Sequence, residues 1–314
     1  MSTGPVRRIL VIKLGGFAEF VLAFGAFSAI RRHHANAHIT LMTTPPFAEM
    51  ARKSGWFDAV WDDGEPQWAR FGKVAKLIRR LRKNKLDRVY DLDNSLRTAR
   101  YRFWMRDLWG NKAEWSRSSP GAASFVRGPQ NVPEHFVERL VNQLAEAGID
   151  ELPTPDLSWL SQGYGGRYGL QDGFVLIAPG HIEEADTGFW PAERFVELAR
   201  RVAIEGRRPV VIGTQADARS NQMIAAASPD AMDLTDRTTL FDVAALATRA
   251  DIAVGNNSGI MQLIAAVGCP SVVLTSPASD PDRYGPRGRY VIMVRKENLA
   301  ELQVTEVAAA LRLG

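Results

Sequence analysis

The chain has 314 residues, 46% apolar and 24% charged, with a formal charge of +4 and one cysteine, Cys269. A chain of that length exceeds what a single hydrophobic core usually serves, so two domains are expected. The lone cysteine excludes an internal disulfide, and so mild a positive balance gives no reason to expect a nucleic-acid partner.

Arg7 and Arg8 precede an apolar stretch that reaches Ala29 and has the outline of a leader or membrane segment, but Lys13, the Gly15-Gly16 pair and Glu19 interrupt it. It reads instead as a strand and a helix of the mature fold, which leads to the expectation of a cytoplasmic protein. Residues 8–13 form the continuous apolar run that a parallel strand covered on both faces needs. After the glycine turn, residues 19–32 predict one helix with Phe20, Phe24, Phe27 and Ile30 at core spacing. Strands are predicted at 38–42, 59–61 and 88–92, with helices at 47–53 and 74–86. The second of these helices is strongly basic.

Between Asp150 and Gly173 the periodicity stops at Pro153, Pro155 and the Gly163-Tyr164-Gly165-Gly166 run, which reads as a linker. The expected domains are therefore 1–158 and 159–314. The alternation then resumes, with strands predicted at 174–177, 209–212, 233–234, 252–254 and 271–274. Helices are predicted at 192–204, 216–227, 240–249 and 304–313, with a further helix opening after Ser258. The same α/β pattern used twice predicts two facing Rossmann-like domains, each a doubly wound parallel sheet, with ligands at the C-terminal ends of the strands.

Neither half carries G-x-G-x-x-G or a Walker A pattern, and there is no G-x-S-x-G elbow. The five histidines lack metal-ligand spacing, so neither a cofactor nor a metal is expected. Four features remain. Glu19 follows the first glycine turn, where a carboxylate either serves chemistry or simply favours a helix start. Asp217, four residues after Gly213, either accepts from ribose hydroxyls or is a plain helix-start charge. Ala178-Pro179-Gly180-His181 opens a loop that ends in Trp190-Pro191, and Trp190 reads as a structural staple. Gly255-Asn256-Asn257-Ser258-Gly259 is either an anion-binding turn or an ordinary capped connection. The basic residues Arg79, Arg80, Arg82, Lys83, Lys85 and Arg88, and then Arg97, Arg100, Arg102 and Arg106, form either a solvated face or a surface for an anionic acceptor or headgroup layer.

The order and spacing of several motifs resemble glycosyltransferase family 9, the ADP-heptose:lipopolysaccharide heptosyltransferases, nearly end to end. They are Ile9-Leu10-Val11-Ile12-Lys13-Leu14-Gly15, Tyr90-Asp91-Leu92-Asp93 with Ser95 and Arg97, Trp190-Pro191-Ala192-Glu193-Arg194-Phe195, Val254 through Gly259, and Tyr284-Gly285-Pro286. The resemblance implies a GT-B arrangement with the acceptor on the N-terminal domain, the nucleotide-sugar on the C-terminal domain, and the last helix crossing back. It implies a metal-independent, inverting sugar transfer with Glu19 as the base. Gly15, Gly16, Asp93 and Arg97 would stand on the acceptor side. Gly180, His181, Asp217, Thr238, Asn257, Ser258, Gly259 and Gln262 would hold the donor, with Asp217 on the ribose and Thr238 lining the base.

Four positions depart from the family pattern. Glu19 replaces an aspartate and follows Ala18, Gly188 replaces a phosphate-binding lysine, Asn257 replaces an aspartate and Gln262 replaces a histidine. His181, Arg283 or Arg287 would have to supply the missing cation. The implied partners are a nucleotide-sugar and a lipid-linked or envelope glycan, with peripheral contact at the cytoplasmic face of the inner membrane. A catalytically silent nucleotide- or glycan-binding member is the alternative. An epimerase or hydrolase of the same architecture would need His181 with Glu183 or Glu184.

Overall fold

The computed structural model describes residues 6–62, 71–108, 113–117, 134–163, 166–180 and 188–312. Its contacts divide into two compact units, Met1–Pro155 and Asp156–Gly314.

In the first unit five strands form a parallel sheet in the order β3-β2-β1-β4-β5. They are β1 (Arg8–Ile12), β2 (His38–Thr43), β3 (Ala59–Asp62), β4 (Arg88–Asp91) and β5 (Glu114–Ser116). Ile9 to Ile12 are fully buried, as a central strand covered on both faces requires.

The helix predicted over 19–32 is two helices, α1 (Phe17–Leu22) and α2 (Phe24–His33), joined at Ala23. Ala23 has ψ near −4°, and its N–H is shared between the carbonyls of Glu19 and Phe20, which offsets the second helix from the first. Phe20, Phe24 and Phe27 still meet Phe47 and Phe57 in one aromatic cluster, so the core spacing runs through the break unchanged.

Helices α3 (Pro45–Lys53) and α4 (Phe71–Lys83) follow in turn. Arg79, Arg80, Arg82 and Lys83 of α4 are exposed while Leu77 and Leu81 are buried. Two further helices, α5 (Leu96–Arg102) and α6 (Phe136–Ala145), were not read from the sequence, nor was a π-helical turn, Phe103–Leu108.

The second unit has six parallel strands in the order β11-β10-β9-β6-β7-β8. They are β6 (Val175–Ala178), β7 (Pro209–Val211), β8 (Met232–Asp233), β9 (Ile252–Asn256), β10 (Ser271–Thr275) and β11 (Val291–Arg295). The helices are α7 (Ala192–Ile204), α8 (Ala218–Ala225), α9 (Leu240–Ala247), α10 (Gly259–Ala266), α11 (Pro281–Tyr284) and α12 (Val304–Ala310). The helix predicted over 216–227 opens as a separate 3-10 turn, Gln215–Asp217.

Trp190 is fully buried, packs edge-on to Phe195 at 4.7 Å and donates from Nε1 to the Leu302 carbonyl at 2.9 Å. Its role is therefore structural. The closing helix α12 brings Val304, Val307 and Ala308 to the same core. Gly255 is required by close approach, because a Cβ there would strike the Ala178 carbonyl on the neighbouring strand.

Both strand orders reverse direction at one point, between β1 and β4 in the first unit and between β6 and β9 in the second. At such a point the loops leave to opposite sides and open a crevice at the carboxyl ends of the strands, where α/β sheets take their ligands.

Candidate active site

In the first unit the crevice position is occupied by residues that follow β1 and β4. Lys13, the residue just past β1, is fully buried. A buried ammonium needs paired anions. It has two: Nζ lies 2.6 Å from Glu19 Oε2 and 3.2 Å from Asp93 Oδ1, and 5.3 Å from the centre of the Phe136 ring. Glu19 reaches it from the third position of α1. The other oxygen of that carboxylate, Oε1, has no hydrogen-bond partner among the described residues, and the side chain keeps 28% of its surface exposed. One oxygen is held by the buried ammonium and the other is open.

Asp93 Oδ1 also accepts from the backbone N–H groups of Leu14 and Gly15, at 3.0 and 2.7 Å. Burial alone would raise the Asp93 carboxyl, but the Lys13 ammonium, the Ser95 hydroxyl and the Leu14 N–H outweigh it and hold it below its ordinary value. A Cβ at Gly15 would strike the Glu19 carboxylate and the Lys13 ammonium, so this glycine makes room for the ion cluster. Gly16 faces open space. Arg97 lies on α5, capped by Ser95, and donates from Nε to the Tyr101 hydroxyl at 2.9 Å.

Asp91 underlies this cluster. Its Oδ1 accepts from the N–H groups of Asp93 and Asn94, and Asn94 adopts the left-handed conformation at φ 53°. Gln143 of α6 ties the turn down, donating to the Asp91 and Ser116 carbonyls and accepting from Asn94 Nδ2. Burial pushes the Asp91 carboxyl up to about 6 despite the opposing hydrogen bonds from the Asn94 N–H and the Thr98 hydroxyl. The folded chain therefore holds a proton on Asp91 at pH values where the unfolded chain, ionising near 3.8, has released it. Stability contributed by this group falls as pH rises from about 4 to about 6. Asp91→Asn removes that dependence, so urea midpoints should shift in favour of the variant relative to the parent across this interval. A constant difference from pH 4 to pH 7 would show that Asp91 does not titrate there.

In the second unit the crevice position lies beside Gly180, after β6, and Asn257-Ser258-Gly259, after β9. Asn256 is buried and bridges the two loops, accepting from the Trp190 N–H at 2.9 Å and donating to the Pro179 carbonyl at 2.8 Å. Gly180 has φ 73°, and its added Cβ would meet Ser258 at 3.8 Å. Ser258 caps α10, its hydroxyl accepting from the Met261 N–H. The N–H groups of Gly259 and Ile260 have no hydrogen-bond partner among the described residues, leaving two donors at the positive end of this helix.

Asn257 donates to the Ser279 carbonyl at 3.2 Å, and Gln262, almost fully buried, donates from Nε2 to the Tyr284 carbonyl. Gln262 Oε1 is buried without a hydrogen-bond partner among the described residues. The same 279–284 segment carries Arg283, whose guanidinium lies 3.6 Å from Asp280 and over the Tyr284 ring. His181, Glu183 and Glu184 lie outside the described residues. Gly188 is described and bears no charge. Arg287 is exposed.

Asp217 is engaged locally. Its Oδ2 accepts from the Thr214 N–H at 2.7 Å and from the Thr214 hydroxyl at 2.8 Å, a capping box that closes the 3-10 turn. Asp217→Ala should lower stability by about 1 kcal/mol in a denaturant titration. Unchanged stability with a loss of nucleotide affinity would assign Asp217 to the nucleotide rather than to the cap. Thr238 is half-buried, one residue before the Thr239 cap of α9.

Sequence reasoning missed Lys13 and Asn256. A charged residue at the end of an otherwise continuous buried strand was itself the signal, because it demands carboxylates nearby.

Two parallel-sheet units with loops gathered at their switch points are the build of the GT-B glycosyltransferases. The model of glycosyltransferase family 9 (heptosyltransferase) matches residues 74–310, and the chain belongs to that family. Lipopolysaccharide heptosyltransferase 2 of Escherichia coli K12 is 27% identical to it over 248 residues, which cover 71% of this chain and 69% of that protein. The crystal structure of a glycosyltransferase family 9 protein from Veillonella parvula gives a TM-score of 0.78 at 21% identity, over 98% of this chain and 96% of that one. The structure of the E. coli heptosyltransferase WaaC with ADP gives 0.76 at 18% identity, over 97% and 99%. At those identities the structural likeness speaks for the fold.

Proposed function

We infer that the chain is an inverting glycosyltransferase that moves a sugar from a nucleotide-diphosphate donor, ADP-heptose by kinship, to a lipopolysaccharide-core or other envelope glycan. The observation that carries this reading is the Glu19 carboxylate, with Oε2 fixed on buried Lys13 and Oε1 open. Such a group is held in one orientation by the ammonium beside it, with an oxygen left free to receive a proton.

In the reaction an acceptor hydroxyl gives its proton to Glu19 Oε1 while its oxygen bonds to the anomeric carbon. On the opposite face the bond from that carbon to the diphosphate oxygen breaks. The first unit provides the base and takes the acceptor beside Gly15, Gly16 and Arg97, with Asp93 holding the turn in shape. The second unit takes the donor. The N–H groups of Gly259 and Ile260 receive the developing diphosphate charge, and Arg283, on the segment that Asn257 and Gln262 hold, is a candidate for the cation that Gly188 does not supply. No helix among the described residues is long and apolar enough to cross a membrane.

Calorimetric titration with ADP, GDP and UDP tests the donor half of this reading. ADP should bind with 1:1 stoichiometry and more tightly than the other two. Absence of binding by all three would overturn it.

A further inference from the structure

A second cavity, of about 800 Å³, lies at the other end of the second sheet, where β9, β10 and β11 begin. It is remote from the Gly180 and Ser258 loops, which follow the C-terminal ends of their strands. Its walls carry Arg207, Arg289 and Arg312, with Asp251 as the one carboxylate among the lining residues. None of the three guanidinium groups has an acidic partner within ion-pair distance among the described residues. Arg289 lies over the ring of Tyr290 at 5.2 Å, and Tyr290 and Ile292 are large, exposed and part of the same wall. Arg312 stands in the left-handed conformation just past α12, at φ 54°, a position where glycine is the unstrained choice.

Three guanidinium groups around a cavity repel one another unless an anion enters. Against one carboxylate they leave two positive charges in excess, which matches a phosphate monoester at neutral pH, about −2. Guanidinium forks suit phosphate oxygens, an aromatic ring and an aliphatic side chain suit an organic body, and the volume lies in the range of small-molecule sites. We propose that this cavity is a second binding site, for a phosphate ester carried on an apolar or aromatic group. It stands on the second unit alone and is independent of the transferase reading.

Two sources share that chemistry, a free organophosphate and the headgroup of an anionic lipid. Phenyl phosphate titrated into the full chain by calorimetry probes the first, and sedimentation with phosphatidylglycerol vesicles against phosphatidylcholine vesicles probes the second. At least one probe should bind. Arg289→Ala with Arg312→Ala should weaken that binding by about tenfold or more, because charge-assisted contacts are lost. Arg52→Ala with Arg200→Ala, which removes two exposed arginines elsewhere, should leave it unchanged. If the first double variant fails to fold, Arg312→Ala alone decides. Binding of phenyl phosphate without vesicles assigns a soluble ligand, and vesicle binding lost in the same variants assigns a headgroup. Failure of both probes, or binding equally strong in the Arg289 and Arg312 variants, overturns the proposal.

Discussion

Glu19→Gln is expected to slow sugar transfer by about 10²–10⁴-fold, the usual contribution of a positioned general base, while leaving ADP affinity unchanged. The amide has the shape of the carboxylate, and its oxygen can still accept from Lys13 Nζ, now 2.6 Å from Oε2, so the turn should keep its form. What it lacks is an oxygen able to take a proton. Glu19→Asp tests position separately. One methylene less draws the carboxylate back by roughly an ångström, and misplacement on that scale can slow a reaction by about 10²-fold even when the chemistry is retained. Single-turnover rates at saturating donor measure both variants. A Glu19→Gln enzyme with the parental rate would place the base elsewhere.

Lys13→Met is expected to destabilise the chain by about 3–5 kcal/mol, the range for removing one member of a buried ion pair. Lys13 is fully buried, and it stands between two carboxylates that would otherwise face each other uncompensated. Asp93 would retain the Leu14 and Gly15 N–H groups, but Glu19 would lose its held oxygen and with it the orientation of the open one. Adding Glu19→Gln to Lys13→Met should recover part of the loss, since one of the stranded charges is then gone. Urea unfolding of the two single variants and the double variant yields this coupling. Strict additivity would mean that the pair contributes nothing to the fold.

Much of the architecture was legible because parallel strands buried on both faces leave continuous apolar runs, as Ile9 to Ile12 and Val272 to Leu274 do. Other elements were not. β5 is three residues long, too short for a periodic signal, and β11 is an edge strand whose Ile292 and Met293 are exposed, so its apolar run had no burial pattern to follow. The break at Ala23 was hidden because the aromatic spacing of α1 continues through α2.

At the site, Glu19, Gly15 and the Ser258-Gly259 turn could be named from local sequence. The role of Lys13 could not, because its second partner, Asp93, is 80 residues away in sequence. The Asp217 engagement was the opposite case. Thr214 and Asp217 stand three residues apart at a helix start, a local capping pattern that the sequence itself displays.

The most direct measurement is the release of ADP from ADP-heptose on incubation with heptose-deficient lipopolysaccharide, read together with sugar incorporation and the anomeric configuration of the product. The account predicts ADP formed one for one with incorporated sugar, only when the acceptor is present, and with inversion at the anomeric carbon. A protein that binds ADP yet releases none in the presence of such acceptors would contradict it, and would leave a nucleotide-binding member of the family without transfer activity.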